Sequence, residues 1–262
     1  MRLPKMSETL VRAVDVWKGF RIPHEKKHSI FEEVAGIVGL AKGRRIGYEE
    51  FWALKGVTFE LAEGEWLGVV GANGSGKTTL LKIMASITPA TKGTVRVCGR
   101  IATILQLGVA FHPDLTVKEN IILYSSVMGI RSQEARKQIS GILEFAGGNI
   151  DKFIDAKLKV LSSGMQLRLA FAVAIKTDPD IFFVDEALAV GDLEFRKKCL
   201  DTFSAYRGEK GMILVTHDMH LITQFCSRAM WLSQGMLMAA GEPDEIVTQY
   251  QASAEIEHTL AV

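Results

Sequence analysis

The pattern of hydrophobic and polar positions along this chain predicts several strands. Residues 11–16 alternate between apolar and polar side chains, and residues 52–61 have the composition of a second extended segment. A short apolar run at 66–70 is closed by a glycine-rich loop, and the runs at 181–184 and 212–215 are apolar without a break. Unbroken runs of this length are typical of strands buried on both faces of a parallel sheet. We therefore expect part of the fold to be such a sheet.

Helical periodicity separates these strands. Apolar positions recur at the spacing of an amphipathic helix, and further short strands are predicted at 94–97 and 101–105. Strands that alternate with helices predict an α/β fold, with a helical lobe inserted near residues 107–178. The predicted helices cover residues 78–86, residues 117–146 with breaks at Asn120, Ser132 and Gly141, residues 167–175, and a short tail from Pro243 to about residue 254.

Composition narrows the class of protein. The chain has 262 residues, of which 48% are apolar and 23% are charged, as in a globular protein with a large core. Its net charge of +1 lacks the cationic surplus of a general nucleic-acid binder, so we expect no nucleic-acid partner. Cys98, Cys199 and Cys226 are odd in number and far apart, which favours reduced, buried thiols in a cytosolic protein.

Neither a signal-peptide pattern nor a run of roughly 18 apolar residues occurs in the sequence, so we expect any membrane role to use a partner or a surface helix. One candidate is residues 29–41, which place their apolar side chains on one helical face and are followed by Lys42, Arg44 and Arg45. This helix either packs on its own domain or meets a membrane or membrane partner, with the basic residues near lipid headgroups.

A phosphate-binding loop is the most specific chemical signal. Residues 71–78 match the pattern G-x-x-x-x-G-K-[ST], between a buried strand and a helix. Backbone N–H groups of such a loop cradle phosphate oxygens, the lysine supplies a positive charge, and the following hydroxyl ligates Mg²⁺. We therefore predict a nucleotide site built from Gly71, Asn73, Gly74, Ser75, Gly76, Lys77, Thr78 and Thr79.

Two further segments fit the same chemistry. Asp185 ends a buried strand, which places it at the sheet edge where phosphate and Mg²⁺ sit, and Glu186 follows as a candidate general base for water attack. Ser162, Ser163 and Gly164 precede an apolar helix. Alone they would be helix caps, but the same geometry also makes an anion site.

The order and spacing of four motifs resembles an ABC-type ATPase subunit. These are the phosphate loop, the segment 161–165, the Asp185–Glu186 pair, and His217 after an apolar strand. The resemblance implies a P-loop NTPase (RecA-like) core with an antiparallel β subdomain and an inserted α-helical subdomain. It also implies a homodimer that sandwiches ATP, in which residues 162–164 contact the γ-phosphate bound to the opposite subunit and His217 holds the catalytic geometry.

The sequence departs from the usual ABC pattern at several positions. The signature segment has Ser163 in place of a glycine and Met165 in place of a glutamine. Gln106 is the candidate for the loop glutamine that ligates Mg²⁺ together with Thr78 and Asp185, although it comes only 29 residues after Lys77, which is early for the wider family. No tyrosine occupies the expected adenine-stacking position; Phe20, predicted to end the first strand, is the candidate, with Tyr48 as its rival. Asp192 falls where the dimer-contact loop of the family ends.

These departures resemble one branch, the polysaccharide-exporter ATPases, in residues 51–55, 105–116 and 162–172. The branch exports O-antigen, capsular polysaccharide, teichoic acid or similar lipid-linked glycans across the bacterial inner membrane. The resemblance implies a peripheral protein on its cytoplasmic face, with two ATPase subunits bound to two copies of a separate permease. It also implies one domain over 1–262, with a core at 9–106 and 179–242, an insertion at 21–50, a helical subdomain at 107–178, and a tail at 243–262 without room for a carbohydrate-binding domain.

The sequence also leaves other classes of protein to be considered. An ABC-type ATPase for another exported substrate would share all of these motifs. An ABC ATPase acting on DNA or ribosomes is expected to carry a basic surplus or a long coiled-coil insertion, and this chain has neither. A P-loop kinase would need an acceptor site and has no use for the signature segment.

Overall fold

The computed structural model describes residues 9–24, 47–104, 111–185 and 192–260. The predicted helix at 29–41 with its basic residues, Gln106 and Glu186 lie outside the described residues.

Two long strands and one short strand form an antiparallel sheet. Strands β1 (Thr9–His24), β2 (Gly47–Ala62) and β4 (Lys92–Val97) pair in the order β2-β1-β4. The prediction that β1 ends at Phe20 is wrong, because residues 21–24 continue the pairing with residues 47–50. The first and last four residues of the predicted insertion at 21–50 therefore belong to strands.

The central sheet has six strands in the order β5-β6-β7-β3-β8-β9. Its first five strands are parallel to their neighbours, and β9 joins the edge antiparallel to β8. The apolar runs predicted as buried strands form β3, β6 and β7. The strands are β3 (Trp66–Val70), β5 (Ile101–Ile104), β6 (Ile181–Asp185), β7 (Gly211–Val215), β8 (Arg228–Ser233) and β9 (Met236–Gly241).

Seven helices connect or cover these strands in the described part of the chain. The helical lobe lies between β5 and β6, as predicted, and consists of α2 to α4. The C-terminal helix continues to Leu260, beyond its predicted end near residue 254. The helices are α1 (Lys77–Met84), α2 (Val117–Val127), α3 (Ser132–Ala146), α4 (Ser163–Lys176), α5 (Leu193–Tyr206), α6 (Met219–Phe225) and α7 (Pro243–Leu260).

The helical lobe differs from the prediction in where its helices break. Ser132 begins α3 as expected, but Asn120 and Gly141 lie inside α2 and α3. Asn120 is fully buried, and its amide accepts a hydrogen bond from His112 N at 2.7 Å and donates to Thr116 O at 2.9 Å. A polar residue here therefore ties the preceding turn to the helix rather than ending the helix.

The six-stranded sheet separates two hydrophobic cores. In β6, Phe182 and Val184 join the core with the helical lobe, whereas Phe183 joins the core with the antiparallel sheet. Phe203 of α5 packs edge-on against Phe182, with ring centroids 5.2 Å apart, and against Phe171 of α4 at 5.6 Å. Burial on both faces explains the unbroken apolar runs. No helix among the described residues is long and apolar enough to span a membrane.

The cysteines differ in exposure. Cys199 and Cys226 are buried, as expected, and burial raises the pKa of each thiol to about 12. Cys98 is exposed, so the expectation of three buried thiols is wrong for this residue, which follows the end of β4 at the surface.

We predict that a thiol reagent such as dithionitrobenzoate modifies one cysteine rapidly in the folded protein at pH 8. The two buried thiols lack both access and thiolate character at that pH. Release of thionitrobenzoate measures the count, and Cys98→Ser should remove the fast phase. Two or more fast equivalents in the wild type would contradict the burial of Cys199 and Cys226.

Candidate functional site

The carboxyl ends of the buried strands bring three predicted motifs to one edge of the sheet. Asp185 in β6 is the register partner of Val215 in β7, and Val215 is also the partner of Val69 in β3. The phosphate loop follows β3, and His217, which is exposed, lies two residues beyond Val215. The edge at which α/β folds bind ligands therefore carries all three.

The phosphate loop is closely packed against β2. Gly76 is the N-cap of α1, with φ of 108°. A Cβ atom there would lie 2.5 Å from the Ala53 carbonyl oxygen, so only glycine fits. The first N–H groups of α1 have no partner within the helix, and they form the anion-binding end of its dipole.

Lys77 folds back along this loop. It is only 7% exposed, and its Nζ donates hydrogen bonds to Gly71 O at 2.7 Å and Ala72 O at 2.9 Å. A buried ammonium is stabilised by such carbonyl acceptors, and it carries its positive charge into the middle of the loop. This is the position from which it can attract a phosphate group.

The environment of the Ser75 hydroxyl indicates whether the loop suits a ligand. Ser75 is 4% exposed, and within the described structure its Oγ atom has no hydrogen-bond partner. A buried hydroxyl without a partner is costly, and it requires an explanation such as a ligand oxygen. The loop thus fits a bound phosphate, as its sequence predicts.

Two of the three predicted metal ligands are in contact. The hydroxyl of Thr78 donates a hydrogen bond to Oδ2 of Asp185 at 2.7 Å, across 107 residues of sequence. Mg²⁺ is typically held by one or two carboxylates together with substrate phosphates and water. One hydroxyl and one carboxylate beside a phosphate loop fit that donor set, and the third candidate, Gln106, lies outside the described residues.

An open cleft of about 230 Å³ joins the phosphate loop to the antiparallel sheet. Phe20 and Phe51 are cross-strand partners that line it, and both are exposed, at 41% and 50%. Tyr48 pairs with Pro23 farther along the hairpin, and among the described residues it is not part of the lining. The structure therefore favours Phe20 over Tyr48 as a stacking residue.

Phe51 and Ala53 also line this cleft, and sequence reasoning did not find them as site residues. In the sequence, their segment is marked only by its resemblance to the polysaccharide-exporter branch. The pairing of Phe20 with Phe51 is long-range, so the signal that identifies Phe51 is the strand register and not a local motif. The lining is completed by Asn73, Gly74, Gly76, Lys77, Thr78 and Thr79, all predicted from the loop.

The signature segment lies at a second cleft. Ser162 caps α4, because its Oγ accepts a hydrogen bond from Met165 N at 3.3 Å, and Ser163 and Gly164 form the first turn. The second cleft shares no lining residue with the first. Within the described part of one chain, the structure therefore does not bring residues 162–164 to the phosphate loop.

An ion pair that the sequence did not reveal lies in the lining of this second cleft. Arg168 of α4 pairs with Asp192, and its guanidinium lies 5.0 Å from the ring centroid of Phe195. Asp192 also caps α5 by accepting a hydrogen bond from Phe195 N at 2.9 Å. The pair thus attaches the helix that follows the signature segment to the first turn of α5.

A model of the ABC transporter family matches residues 54–189 of the chain. The O-antigen export system ATP-binding protein RfbB of Klebsiella pneumoniae is 37% identical over 214 residues, which cover 81% of this chain and 84% of that protein. RfbB of Myxococcus xanthus is 38% identical over 78% of this chain and 46% of its own length. The teichoic acids export ATP-binding protein TagH of Enterococcus faecalis is 38% identical over 77% of this chain and 45% of its own. The chain thus spans less than half of these last two relatives.

Solved structures share the fold. A dimeric ATP-binding cassette in a post-hydrolysis state with ADP and phosphate has a TM-score of 0.68 at 23% identity, covering 89% of this chain and 98% of that chain. An ATP-binding subunit of an ABC transporter has a TM-score of 0.69 at 19% identity, covering 93% and 94%. The predicted fold class, a P-loop NTPase core with an antiparallel β subdomain and a helical lobe, is confirmed.

The paired phenylalanines predict a specific pattern of nucleotide affinity. Phe20→Ala and Phe51→Ala should each weaken ATP binding about tenfold, since stacking on an aromatic ring contributes roughly 1–3 kcal/mol per base. Tyr48→Ala is the matched control on the same hairpin and should leave affinity unchanged. Titration with a fluorescent ATP analogue measures all three. A loss for Tyr48→Ala alone would contradict this assignment of the cleft.

Proposed function

This chain belongs to the ABC transporter family as an ATP-binding, ATP-hydrolysing subunit, and we propose that the substrate it exports is a lipid-linked polysaccharide. The observation that carries the proposal is that its relatives are named for O-antigen and teichoic acid export, at 37–38% identity over most of this chain. The exported glycan is thus expected to belong to this class, which also includes capsular polysaccharide. The resemblance of residues 51–55 and 162–172 to the same branch agrees with it.

The proposed reaction is in-line attack of water on the γ-phosphate of ATP. Lys77, which is already held inside the loop, supplies positive charge to the β- and γ-phosphates. Glu186, one residue beyond Asp185, accepts the proton of the attacking water, and His217 holds the γ-phosphate. Mg²⁺, held by Thr78, Asp185 and Gln106, would neutralise charge on the phosphate oxygens.

We propose that the working unit is a homodimer. The phosphate loop and the signature segment line separate clefts of one chain, which supports an arrangement in which Ser162, Ser163 and Gly164 of one subunit contact the nucleotide of the other. The subunits would bind two copies of a separate permease at the cytoplasmic face of the inner membrane. Residues 29–45 would add contact with lipid or with the permease.

The proposal predicts that Glu186→Gln lowers the kcat of ATP hydrolysis by roughly a hundredfold or more, since general bases contribute at least that much. ATP binding should persist, because the change removes neither the loop nor the metal ligands. Phosphate release and nucleotide titration measure the two effects separately. Glu194→Gln, an exposed neighbour in the first turn of α5, is the matched control and should hydrolyse ATP normally. Unaltered hydrolysis in Glu186→Gln would exclude the general-base role.

The export function is tested in the source bacterium. Deletion of the gene should remove one surface glycan, and that glycan should accumulate inside the cell. The intact gene should restore export, whereas a copy carrying Lys77→Ala should not. Analysis of surface and cell-associated glycans measures both the loss at the surface and the accumulation inside the cell. Unchanged surface glycans after the deletion would instead favour an ABC ATPase for another substrate or one without a transport role.

A further inference from the structure

The turn between β8 and β9 lies directly against the phosphate loop. It contains Gln234 and Gly235, both with a left-handed backbone, at φ of 47° and 81°. The turn belongs to none of the sequence motifs described above, and it is not among the residues that line the nucleotide cleft. Its contacts nevertheless reach both the loop and β2.

Gly235 joins these two elements through its backbone. Its N–H donates a hydrogen bond to the Ser75 carbonyl oxygen at 3.0 Å, and its own carbonyl oxygen accepts one from Lys55 N at 2.8 Å. Ser75 lies in the phosphate loop, and Lys55 lies two residues beyond the cleft-lining Ala53. Gly235 therefore links the phosphate loop to β2, the strand that carries Phe51 and Ala53 of the cleft.

The Ala53 carbonyl oxygen is packed between the turn and the loop. A Cβ atom at Gly235 would lie 2.7 Å from this oxygen, and a Cβ atom at Gly76 would lie 2.5 Å from the same oxygen. Backbone atoms cannot give way as a flexible side chain does. A side chain at 235 would therefore displace Ala53, and the displacement would act on Gly76 at the start of α1.

The other end of the loop meets the end of β8. A Cβ atom at Gly71 would lie 2.2 Å from the Leu232 carbonyl oxygen, so the loop and β8 are in close backbone contact there. The segment from Leu232 to Gly235 thus supports the phosphate loop near its first residue and at Ser75.

We propose that Gly235 is a positioning residue for nucleotide binding, which sets the spacing between the phosphate loop and the β2 wall that carries Phe51 and Ala53. It touches no nucleotide itself and acts through Ser75 and Ala53. The proposal rests on the nucleotide site described above, but not on the identity of the exported substrate.

The test compares Gly235 with a glycine of matched conformation. Gly208, in the turn before β7, has φ of 83°, and a Cβ atom there would meet nothing within 4 Å. Gly235→Ala and Gly208→Ala therefore carry similar strain from a left-handed φ, and only the former adds the collision with Ala53. Gly235→Asn and Gly208→Asn repeat the comparison with a residue that tolerates a left-handed backbone better.

The readouts are the KM and kcat for ATP, the Kd for ADP, and the thermal unfolding midpoint. We expect both variants at 235 to raise the KM and Kd about tenfold with kcat within about twofold, because the folded molecules keep their catalytic groups. Both variants at 208 should keep wild-type KM and Kd. A purely structural defect would instead lower the active fraction and the unfolding midpoint without changing the KM.

Equal KM values for the 235 and 208 variants would overturn the proposal. It would also be overturned if both 235 variants failed to fold while both 208 variants folded, since Gly235 would then be a folding determinant. Failure of the wild-type chain to bind ATP or ADP would contradict the nucleotide site itself, so the two failures are distinguishable.

Discussion

The register of three buried parallel strands is the constraint on which the site depends. β3, β7 and β6 are hydrogen-bonded neighbours, so Val69, Val215 and Asp185 lie side by side at their carboxyl ends. The side chains of β6 are buried alternately in two cores. A shift of the β6 register by one residue would therefore turn each of its side chains toward the opposite core and move Asp185 away from Thr78. Hydrophobic burial thereby fixes the distance between a carboxylate and a hydroxyl that are far apart in sequence.

The antiparallel sheet and the β8–β9 hairpin also contact the phosphate loop. β2 contributes the Ala53 carbonyl and the exposed ring of Phe51, and β8 ends against the first residue of the loop. The loop is thus held by backbone contacts from two sheets. The signature segment lies at a separate cleft, which Arg168 and Asp192 also line. The separation of the two clefts within one chain is the observation behind the proposed homodimer.

The sequence was sufficient for features whose signal is local. Unbroken apolar runs located β3, β6 and β7, and the glycine–lysine pattern located the loop, because strand burial and phosphate binding each leave a mark within a few residues. Features that depend on long-range pairing could not be predicted in this way. Phe51 enters the site only through its register with Phe20, and Asn120 is a satisfied buried amide inside a helix, where a polar residue had predicted a break.

We propose that Thr78 and Asp185 hold Mg²⁺ at the ATP site, and the Mg²⁺ dependence of ATP affinity is the sharpest test of this assignment. ATP affinity would be measured with and without Mg²⁺ for the whole chain, for Asp185→Asn, and for Asp201→Asn as an exposed acidic control on α5. We expect Mg²⁺ to strengthen ATP binding in the wild type and in the control, and we expect Asp185→Asn to lose this gain while keeping its affinity in EDTA. Full Mg²⁺ enhancement in Asp185→Asn would contradict it.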